Sequence, residues 1–318
     1  MPSKSIDHAF TARQNLGAAS DPTHAGALSF MRRRFTKKVA GADVVVWGIP
    51  FDAAVSNRPG ARFGPQAIRR ASAIFDNDPQ YPFGADLFDK LSVVDYGDCL
   101  LDYGNHQKTP GIIEREAKKL LKSDVFLLSL GGDHFVTWPL LKAHAEKHGP
   151  LALVQFDAHQ DTWPYEKGRI DHGAFVGQAA DEGVIDVAKS IQIGIRTHAP
   201  RDCGIRMLFG HELEEMRAGE IAAAILEHTQ GAKAYVTFDI DCLDPAFAPG
   251  TGTPVAGGPS SAKMLSVLRA LGALDIVGAD VVEVSPSYDH ADITAIAGAT
   301  IAMYYIGLLS ERRMRRGS

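Results

Sequence analysis

The sequence has few of the features that mark secreted or disulfide-stabilised proteins. Of its 318 residues only three are cysteines, Cys99, Cys203 and Cys242. An odd number of widely separated cysteines in a chain of this length does not suggest a disulfide framework. The opening segment MPSKSIDHAFTARQ has no apolar h-region, so no secretory signal is expected. These absences predict a cytoplasmic protein.

An excess of charge of one sign is also absent. The 33 lysines and arginines against 38 acids give a net charge of -5. This balance gives no general reason to expect a nucleic-acid partner. Two short segments, residues 32–38 (RRRFTKK) and 312–316 (RRMRR), are locally basic. We interpret them as solvated surface or a disordered end rather than as binding patches.

The longest uncharged apolar run, residues 293–309 (ITAIAGATIAMYYIGLL), is too short and too mixed for a typical membrane span. It falls about three residues short of the usual length, and it contains threonine, glycine and tyrosine. It therefore predicts a buried helix and no membrane partner. Asp292 is placed to be the N-cap of that helix.

Short β-rich runs alternate with helix-like segments along the chain, and 45% of the residues are apolar. Strands that are apolar on both faces and alternate with helices predict an α/β fold with a mainly parallel sheet covered on both sides. No repeat or linker divides the chain. We expect one domain over residues 1–318, with an N-terminal extension of residues 1–40 and a basic tail from residue 311. The predicted strands are residues 43–47, 91–95, 125–130, 151–157, 191–195, 234–239 and 276–284, and the predicted helices include residues 111–122, 139–147, 219–228 and 260–271.

Three of these runs end in residues that bind metals. Residues 151–161, LALVQFDAHQD, and residues 234–241, AYVTFDID, each stop on an acid and continue with alternating ligand types. In an extended strand, residues two apart point to the same side. The side chains of each run are therefore expected to converge at the carboxyl ends of the strands, where such sheets bind ligands. A third run, residues 125–130, leads into GGDH. The candidate ligands are His134, Asp157, His159, Asp161, Asp239 and Asp241.

Four carboxylates and two imidazoles match two divalent cations in charge and type. Without a cation, converging acids would repel each other and would have to bind protons. The oxygen-rich set favours Mn²⁺ or Mg²⁺ over zinc, and the histidines favour two Mn²⁺ per chain. The alternative is that the acids are caps or turn residues, as is common for a single Asp-x-Asp. Another apparent zinc motif, HAEKH at residues 144–148, has the wrong spacing and is interpreted as a solvated helix face.

At these residues the chain resembles the ureohydrolase family, manganese enzymes that include arginase and agmatinase, and within that family it resembles agmatinases. The matching motifs are GGDH (131–134), FDAHQD (156–161), FDIDCLDPAFAPGTGTP (238–254), GIPFD (48–52), RPGARFGPQAIR (58–69) and VVEVSP (281–286). The resemblance implies a three-layer α/β/α fold that assembles into homotrimers or hexamers. It also implies one metal held by His134, Asp157, Asp161 and Asp239 and another held by Asp157, His159, Asp239 and Asp241.

The resemblance further implies that a metal-bridging hydroxide hydrolyses a small guanidino substrate to urea and an amine. Glu283 is expected to pair with the guanidinium N–H groups. Asp161 is expected to orient the hydroxide, and His172 to protonate the departing amine. Thr253 is expected to help position the guanidinium.

The residues after Asp161 bear on the choice of substrate. Arginases have there an asparagine that contacts the carboxylate of arginine, whereas this chain has Trp163. This difference argues against arginase activity and favours agmatine, which yields urea and putrescine. Gln160, another departure from the family pattern, is expected to point away from the metals.

The loop at residues 163–170 leaves other substrates open. Glu166 suits the ammonium of agmatine, whereas Lys167 or Arg169 suits the carboxylate of 4-guanidinobutyrate or 3-guanidinopropionate. Metal-dependent amide deacetylases are the rival class, since they use similar ligands. A dinuclear phosphoesterase and a non-catalytic scaffold are weaker alternatives.

Overall fold

In the computed structural model, which describes residues 7–17, 19, 21–75 and 79–316, nine strands form a single parallel sheet. Every pairing between neighbouring strands is parallel. The strands are β1 (Arg34–Phe35), β2 (Val44–Gly48), β3 (Val93–Asp98), β4 (Phe126–Leu130), β5 (Ala152–Phe156), β6 (Ile191–Ile195), β7 (Arg206–Phe209), β8 (Ala234–Asp239) and β9 (Ile276–Val282). Their order across the sheet is β1-β3-β2-β4-β9-β8-β5-β6-β7.

Nine α-helices accompany the sheet in the described part of the chain. They are α1 (His8–Thr11), α2 (Gly64–Ala71), α3 (Thr109–Leu121), α4 (Thr137–His148), α5 (Phe175–Asp181), α6 (Gly210–Glu215), α7 (Ala218–Thr229), α8 (Ser261–Ala270) and α9 (Ile293–Arg316). The hydroxyl of Ser260 accepts the Lys263 N–H and caps α8.

The sheet has an apolar core on each face because its central strands are mostly apolar and are buried along almost their whole length. Along β2, Val44 and Val46 belong to one buried cluster, whereas Val45 and Trp47 belong to the other. Helices α2, α7, α8 and α9 contribute to the first cluster, and α3, α4 and α5 contribute to the second. The three-layer α/β/α prediction is confirmed.

Helix α9 is the predicted buried helix. It is long and apolar enough to cross a membrane by length and composition, yet 72% of its most apolar window is buried inside the fold. The predicted cap is wrong. The carboxylate of Asp289 accepts the N–H groups of Thr294 and Ala295, whereas Asp292 has a left-handed φ of 59° and pairs with Arg70. An N-cap residue normally has extended backbone angles, which Asp292 lacks.

The chain ends join the fold more closely than the sequence suggests. Strand β1 lies inside the predicted N-terminal extension and pairs with β3 at the edge of the sheet. The basic tail continues α9 to Arg316, and the side chains of Arg312 and Arg313 pair with Asp275 and Asp43.

The solvated-face interpretation of HAEKH is wrong for its first histidine. Glu146 is exposed, but His144 is 0% exposed. Its ring lies 5.0 Å from the ring of Tyr235, in the layer between α4 and the sheet.

Candidate metal centre

The candidate ligands come from neighbouring strands in the middle of the sheet. Strands β4, β9, β8 and β5 lie side by side in that order. Because they are parallel, their carboxyl ends meet at one edge. That edge carries His134 just after β4, Glu283 directly after β9, Asp239 at the end of β8 and Asp157 directly after β5.

A tight turn after β4 brings His134 over this edge. The turn needs glycine, since a Cβ on Gly132 would lie 1.7 Å from the Phe51 carbonyl oxygen. The His134 side chain is 1% exposed. Its Nδ1 faces three carboxylate oxygens, from Asp157 at 2.9 Å, Asp161 at 3.0 Å and Asp239 at 3.2 Å.

The other nitrogen of His134 is held from behind. Nε2 lies 2.8 Å from the Thr237 hydroxyl, and that hydroxyl donates to the Asp280 carboxylate at 2.6 Å. Since Thr237 donates to Asp280, it accepts from His134, and the imidazole proton therefore sits on Nε2. The lone pair on Nδ1 is then aimed at the three acids. Partners of this kind, behind a ligand, orient the histidines of metal sites.

A second cluster lies beside the first. His159 Nδ1 is 3.1 Å from Asp241 Oδ2 and 3.4 Å from Asp157 Oδ1. Asp157 is fully buried, and its Oδ2 accepts a hydrogen bond from Gln155 at 2.7 Å. Gln192 in turn donates to Gln155 at 2.6 Å. Asp157 therefore has one oxygen in each cluster, with amide groups supporting it.

The side chains of the candidate ligands lie close together, as predicted, but alternation along a strand is not the cause. Strand β5 ends at Phe156, before the first acid. Asp161 has a left-handed φ of 52°, and Asp241 lies in a short 3-10 turn. Glu283 is also left-handed, with φ 62°. Residues other than glycine rarely adopt this backbone conformation, and when they do they are often at functional sites.

The electrostatics of the edge are those of crowded acids. Burial and the Asp157 charge raise the pKa of Asp161 to about 6. Burial also raises the pKa of Asp157, but hydrogen bonds to His134 and His159 outweigh it and hold that pKa below its usual range. Burial lowers the pKa of His159, but the nearby acids outweigh it and raise that pKa to about 12. A positive charge placed between these acids would therefore stabilise their ionised forms.

The donor set fits two divalent cations. One group of ligand atoms comes from His134, Asp157 and Asp239, and the other from Asp157, His159 and Asp241, each within 4.8 Å of one another. The two groups share Asp157. The lone pair of His134 Nδ1, turned towards three carboxylates, is repulsive unless a proton or a metal cation lies between them. Carboxylate and imidazole groups are both ligands of divalent metal ions in proteins.

Next to the clusters, Glu283 and His172 form a buried pair. His172 Nδ1 lies 2.9 Å from Glu283 Oε1, which also accepts the His134 backbone N–H at 2.9 Å. Glu283 Oε2 is buried and has no hydrogen-bond partner among the described residues. Burial lowers the pKa of His172, but the hydrogen bond and charge of Glu283 outweigh it and raise that pKa to about 9.

A cavity of about 420 Å³ opens onto His172 and the clusters, and Glu283, bonded to His172, is not among its lining residues. Of the residues predicted from the sequence, Trp163, His172 and Thr253 line it together with three candidate ligands. Thr253 Oγ1 donates to Asp241 Oδ2 at 3.3 Å. The residues that line the cavity are Ser56, His159, Asp161, Trp163, Pro164, Arg169, Asp171, His172, Gly173, Asp239 and Thr253.

The charged residues of the loop at residues 163–170 differ in whether they line the cavity. Arg169 lines the cavity, whereas Glu166 and Lys167 are exposed and lie outside its lining. Gln160 is turned away from the ligands, as expected, because its side chain contacts Met207 and the Ala199 N–H.

Sequence reasoning missed several supporting residues. Ser56 contacts His172, Thr237 and Asp280 stand behind His134, and Gln155 supports Asp157. The motifs TFDID and ADVVEV contain Thr237 and Asp280 two and three residues before recognised positions. For Thr237 that proximity was the available signal, since residues two apart on a strand share a face.

Comparison with known proteins identifies the family. The family model described as "Arginase family" matches residues 42–307. An agmatinase of Chromobacterium violaceum is 49% identical over 306 residues, which cover 95% of each chain. The chain belongs to the arginase family.

Solved structures of the arginase family agree. A hypothetical agmatinase from Burkholderia thailandensis has a TM-score of 0.96 and 47% identity, with 97% of this chain and 98% of that chain covered. Proclavaminate amidino hydrolase from Streptomyces clavuligerus has a TM-score of 0.87 and 42% identity, with coverage of 91% and 99%. The chain is therefore an agmatinase-like ureohydrolase, a C–N hydrolase of small guanidino compounds, which sets aside the deacetylase alternative.

Proposed function

We propose that this enzyme hydrolyses agmatine to urea and putrescine with two Mn²⁺ ions per chain. The observation that carries the proposal is the buried edge where His134 Nδ1 meets three carboxylates beside an unpaired Glu283 oxygen. The choice of agmatine is supported by the similarity to several agmatinases at 44 to 49% identity.

His134, Asp157, Asp161 and Asp239 would hold one ion, and Asp157, His159, Asp239 and Asp241 the other. Asp157 suits the bridging role because its two oxygens face different histidines. Two bound cations supply an activated water nucleophile at neutral pH. Asp161 is placed to orient that water, since it is buried and also lines the cavity.

Glu283 would hold the guanidinium through one oxygen rather than through both. Its Oε1 already accepts hydrogen bonds from His134 N and His172 Nδ1, whereas Oε2 is unpaired and buried. A buried, unpaired carboxylate oxygen requires a donor, and a guanidinium N–H supplies a charged one. The Thr253 hydroxyl, which is hydrogen-bonded to Asp241, would help to position the guanidinium.

His172 would protonate the departing amine. Amine departure from the tetrahedral adduct needs a proton, and general acids contribute about 10² to 10⁴-fold to such steps. With its pKa raised to about 9, His172 carries the proton at neutral pH.

The cavity mouth would receive the substrate chain. Trp163 is half-buried in the cavity wall, where its ring can cover the methylenes of agmatine. Both Arg169 and Asp171 line the mouth. Asp171 suits the ammonium of agmatine, although its Oδ1 also accepts the Gly173 N–H.

The test is urea release from agmatine, arginine and 4-guanidinobutyrate by the Mn²⁺-loaded enzyme. We expect the kcat/KM for agmatine to exceed that for each other substrate by at least about tenfold, since a misplaced or unpaired charge in a site costs more than 1.4 kcal/mol. Metal analysis should give two ions per chain. Faster turnover of 4-guanidinobutyrate would refute the choice of agmatine without refuting guanidine hydrolysis.

A guanidino acid is the second candidate, and Arg169 favours it. This cation lines the cavity, and the similar Streptomyces protein is named for an amidino substrate that is an acid. Arg169→Ala separates the candidates. If agmatine is the substrate, kcat/KM for agmatine should hold or rise; if a guanidino acid is, its kcat/KM should fall about tenfold or more.

Assembly into a homotrimer or hexamer and a cytoplasmic location stay predictions. Size-exclusion chromatography with light scattering on the Mn²⁺-loaded protein would measure the assembly.

A further inference from the structure

The loop between β2 and α2 crosses the edge of the cavity and is fixed to the site on both sides. Ser56 lies in the middle of this loop and is exposed. Three hydrogen bonds hold the loop in place: Ala54 N–H to Asp133 Oδ2 at 2.9 Å, His172 N–H to Ala54 O at 3.3 Å, and Asn57 Nδ2 to Gly252 O at 2.9 Å. The position of Ser56 is therefore set by the motifs on either side of the cavity.

Ser56 covers the only nitrogen of His172 that can exchange a proton with the cavity. Nδ1 donates to the Glu283 carboxylate, so it keeps its hydrogen. Nε2 accepts a hydrogen bond from the Ser56 backbone N–H at 3.0 Å and lies 2.8 Å from the Ser56 hydroxyl oxygen. A neutral ring nitrogen has one lone pair, and Ser56 supplies both of its neighbours. No substrate atom can approach Nε2 along its lone pair without displacing Ser56.

His172 and Ser56 differ in their exposure to solvent. The His172 residue is 8% exposed, and its ring is held between Glu283 and Ser56. Ser56 lines the cavity and is also open to solvent. The Ser56 hydroxyl thus stands between the buried imidazole and the place where the amine departs.

We infer that Ser56 positions His172 and relays its proton, an inference that rests on the proposed function. In the structure Nε2 accepts the Ser56 N–H, and once His172 is protonated Nε2 donates to Ser56 Oγ instead. As the C–N bond breaks, the imidazolium transfers this proton to Ser56 Oγ. Ser56 gives its own hydroxyl proton to the departing nitrogen. One proton reaches the amine, the electron pair of the C–N bond stays on that nitrogen, and His172 is left neutral with Nε2 accepting from Ser56. Water in the cavity then returns a proton along the same path.

The decisive experiment compares Ser56→Thr with Ser56→Val in the Mn²⁺-loaded full chain. Threonine and valine have nearly the same shape, and only threonine keeps the hydroxyl. With agmatine as substrate, we expect Ser56→Val to lower kcat by about tenfold to a hundredfold, up to the lower limit of the roughly 10² to 10⁴-fold that a general acid contributes. KM should stay within about twofold, and Ser56→Thr should recover most of kcat. A purely steric role would affect both variants equally.

Asn57→Ala is the matched control in the same loop, because it removes the bond to Gly252 and leaves His172 untouched. Its kcat should fall less than that of Ser56→Val if the hydroxyl is what matters. Metal content and thermal midpoint are measured for every variant. Equal kcat for Ser56→Val and Ser56→Thr would overturn the relay. Absence of urea release from agmatine by the wild-type enzyme would instead reject the proposed function, whatever the variants do.

Discussion

Two buried histidines ten positions apart, His134 and His144, show how neighbours decide what a side chain does. His134 is 1% exposed and His144 is 0% exposed. His134 turns its Nδ1 towards three carboxylate oxygens at the edge of the sheet. His144 donates from Nδ1 to the Leu140 carbonyl at 2.7 Å, and its Nε2 has no hydrogen-bond partner among the described residues.

The two environments shift the pKa values of the rings in opposite directions. Burial lowers the pKa of His144 to about 4. Burial also lowers the pKa of His134, but hydrogen bonds to the acids around it outweigh burial and raise its pKa well above the usual value. Burial alone therefore predicts a neutral, structural histidine, whereas burial among acids predicts a site for a cation.

The largest effect should come from replacing His134, and replacing His144 provides the comparison. We expect His134→Asn to lower kcat/KM by about 10³-fold, because losing a metal ion removes several kcal/mol of transition-state stabilisation. It should also reduce the bound metal from two ions towards one. His144→Gln should keep both ions and activity within about threefold. Urea assays and metal analysis measure both, and two retained ions in His134→Asn would break the distinction.

The next effect is the dependence of stability on pH through His144. Its folded-state pKa of about 4 lies below the ordinary value of 6.5. Between these values the unfolded chain binds a proton that the folded chain refuses. The stabilisation is therefore complete above pH 6.5 and is lost as the pH falls towards 4. We expect a loss of about 3 kcal/mol relative to His144→Gln.

Urea unfolding of the metal-free wild type and His144→Gln at pH 7 and pH 4 measures this difference. Other titrating groups cancel because both chains contain them. A difference in unfolding free energy between the two chains that does not change with pH would mean that His144 is not held neutral by its surroundings.

A smaller effect should come from the support behind His134. Thr237→Val removes the hydroxyl that links His134 Nε2 to Asp280. We expect Mn²⁺ affinity to fall by about 10 to 100-fold, as for other partners behind metal ligands. Thr137→Val is the matched control, since Thr137 also donates to Asp280, at 2.9 Å, without bonding to His134. Calorimetric titration with Mn²⁺ measures both, and equal losses would contradict the role of Thr237.

Much of the fold could be predicted because its central strands are buried on both faces and read as short apolar runs. All seven predicted strands correspond to β2, β3, β4, β5, β6, β8 and β9. The two missed strands lie at the edges of the sheet. β1 is two residues long, and β7 has an exposed residue at its start, so neither carries a strong apolar signal.

That the candidate residues lie close together could also be predicted, but their geometry could not. Asp157 and Asp239 stand at strand ends, where parallel sheets place their sites. Alternation along a strand did not explain the convergence, because Asp161 and Glu283 reach the site through left-handed backbone. Such angles depend on contacts from distant segments, as in the bond from Glu283 N to the Gly132 carbonyl.

The sequence by itself determined the chemistry of this protein. Asp157, His159 and Asp161, together with Asp239 and Asp241, predict a cation site and an arginase-family reaction because few other functions need those residue types after two strands. Only the tertiary structure decided which oxygen of Glu283 is open and that Ser56, 116 positions before His172, covers its Nε2. Contacts between residues so far apart in the chain are set by how the strands pack, and no local pattern encodes them.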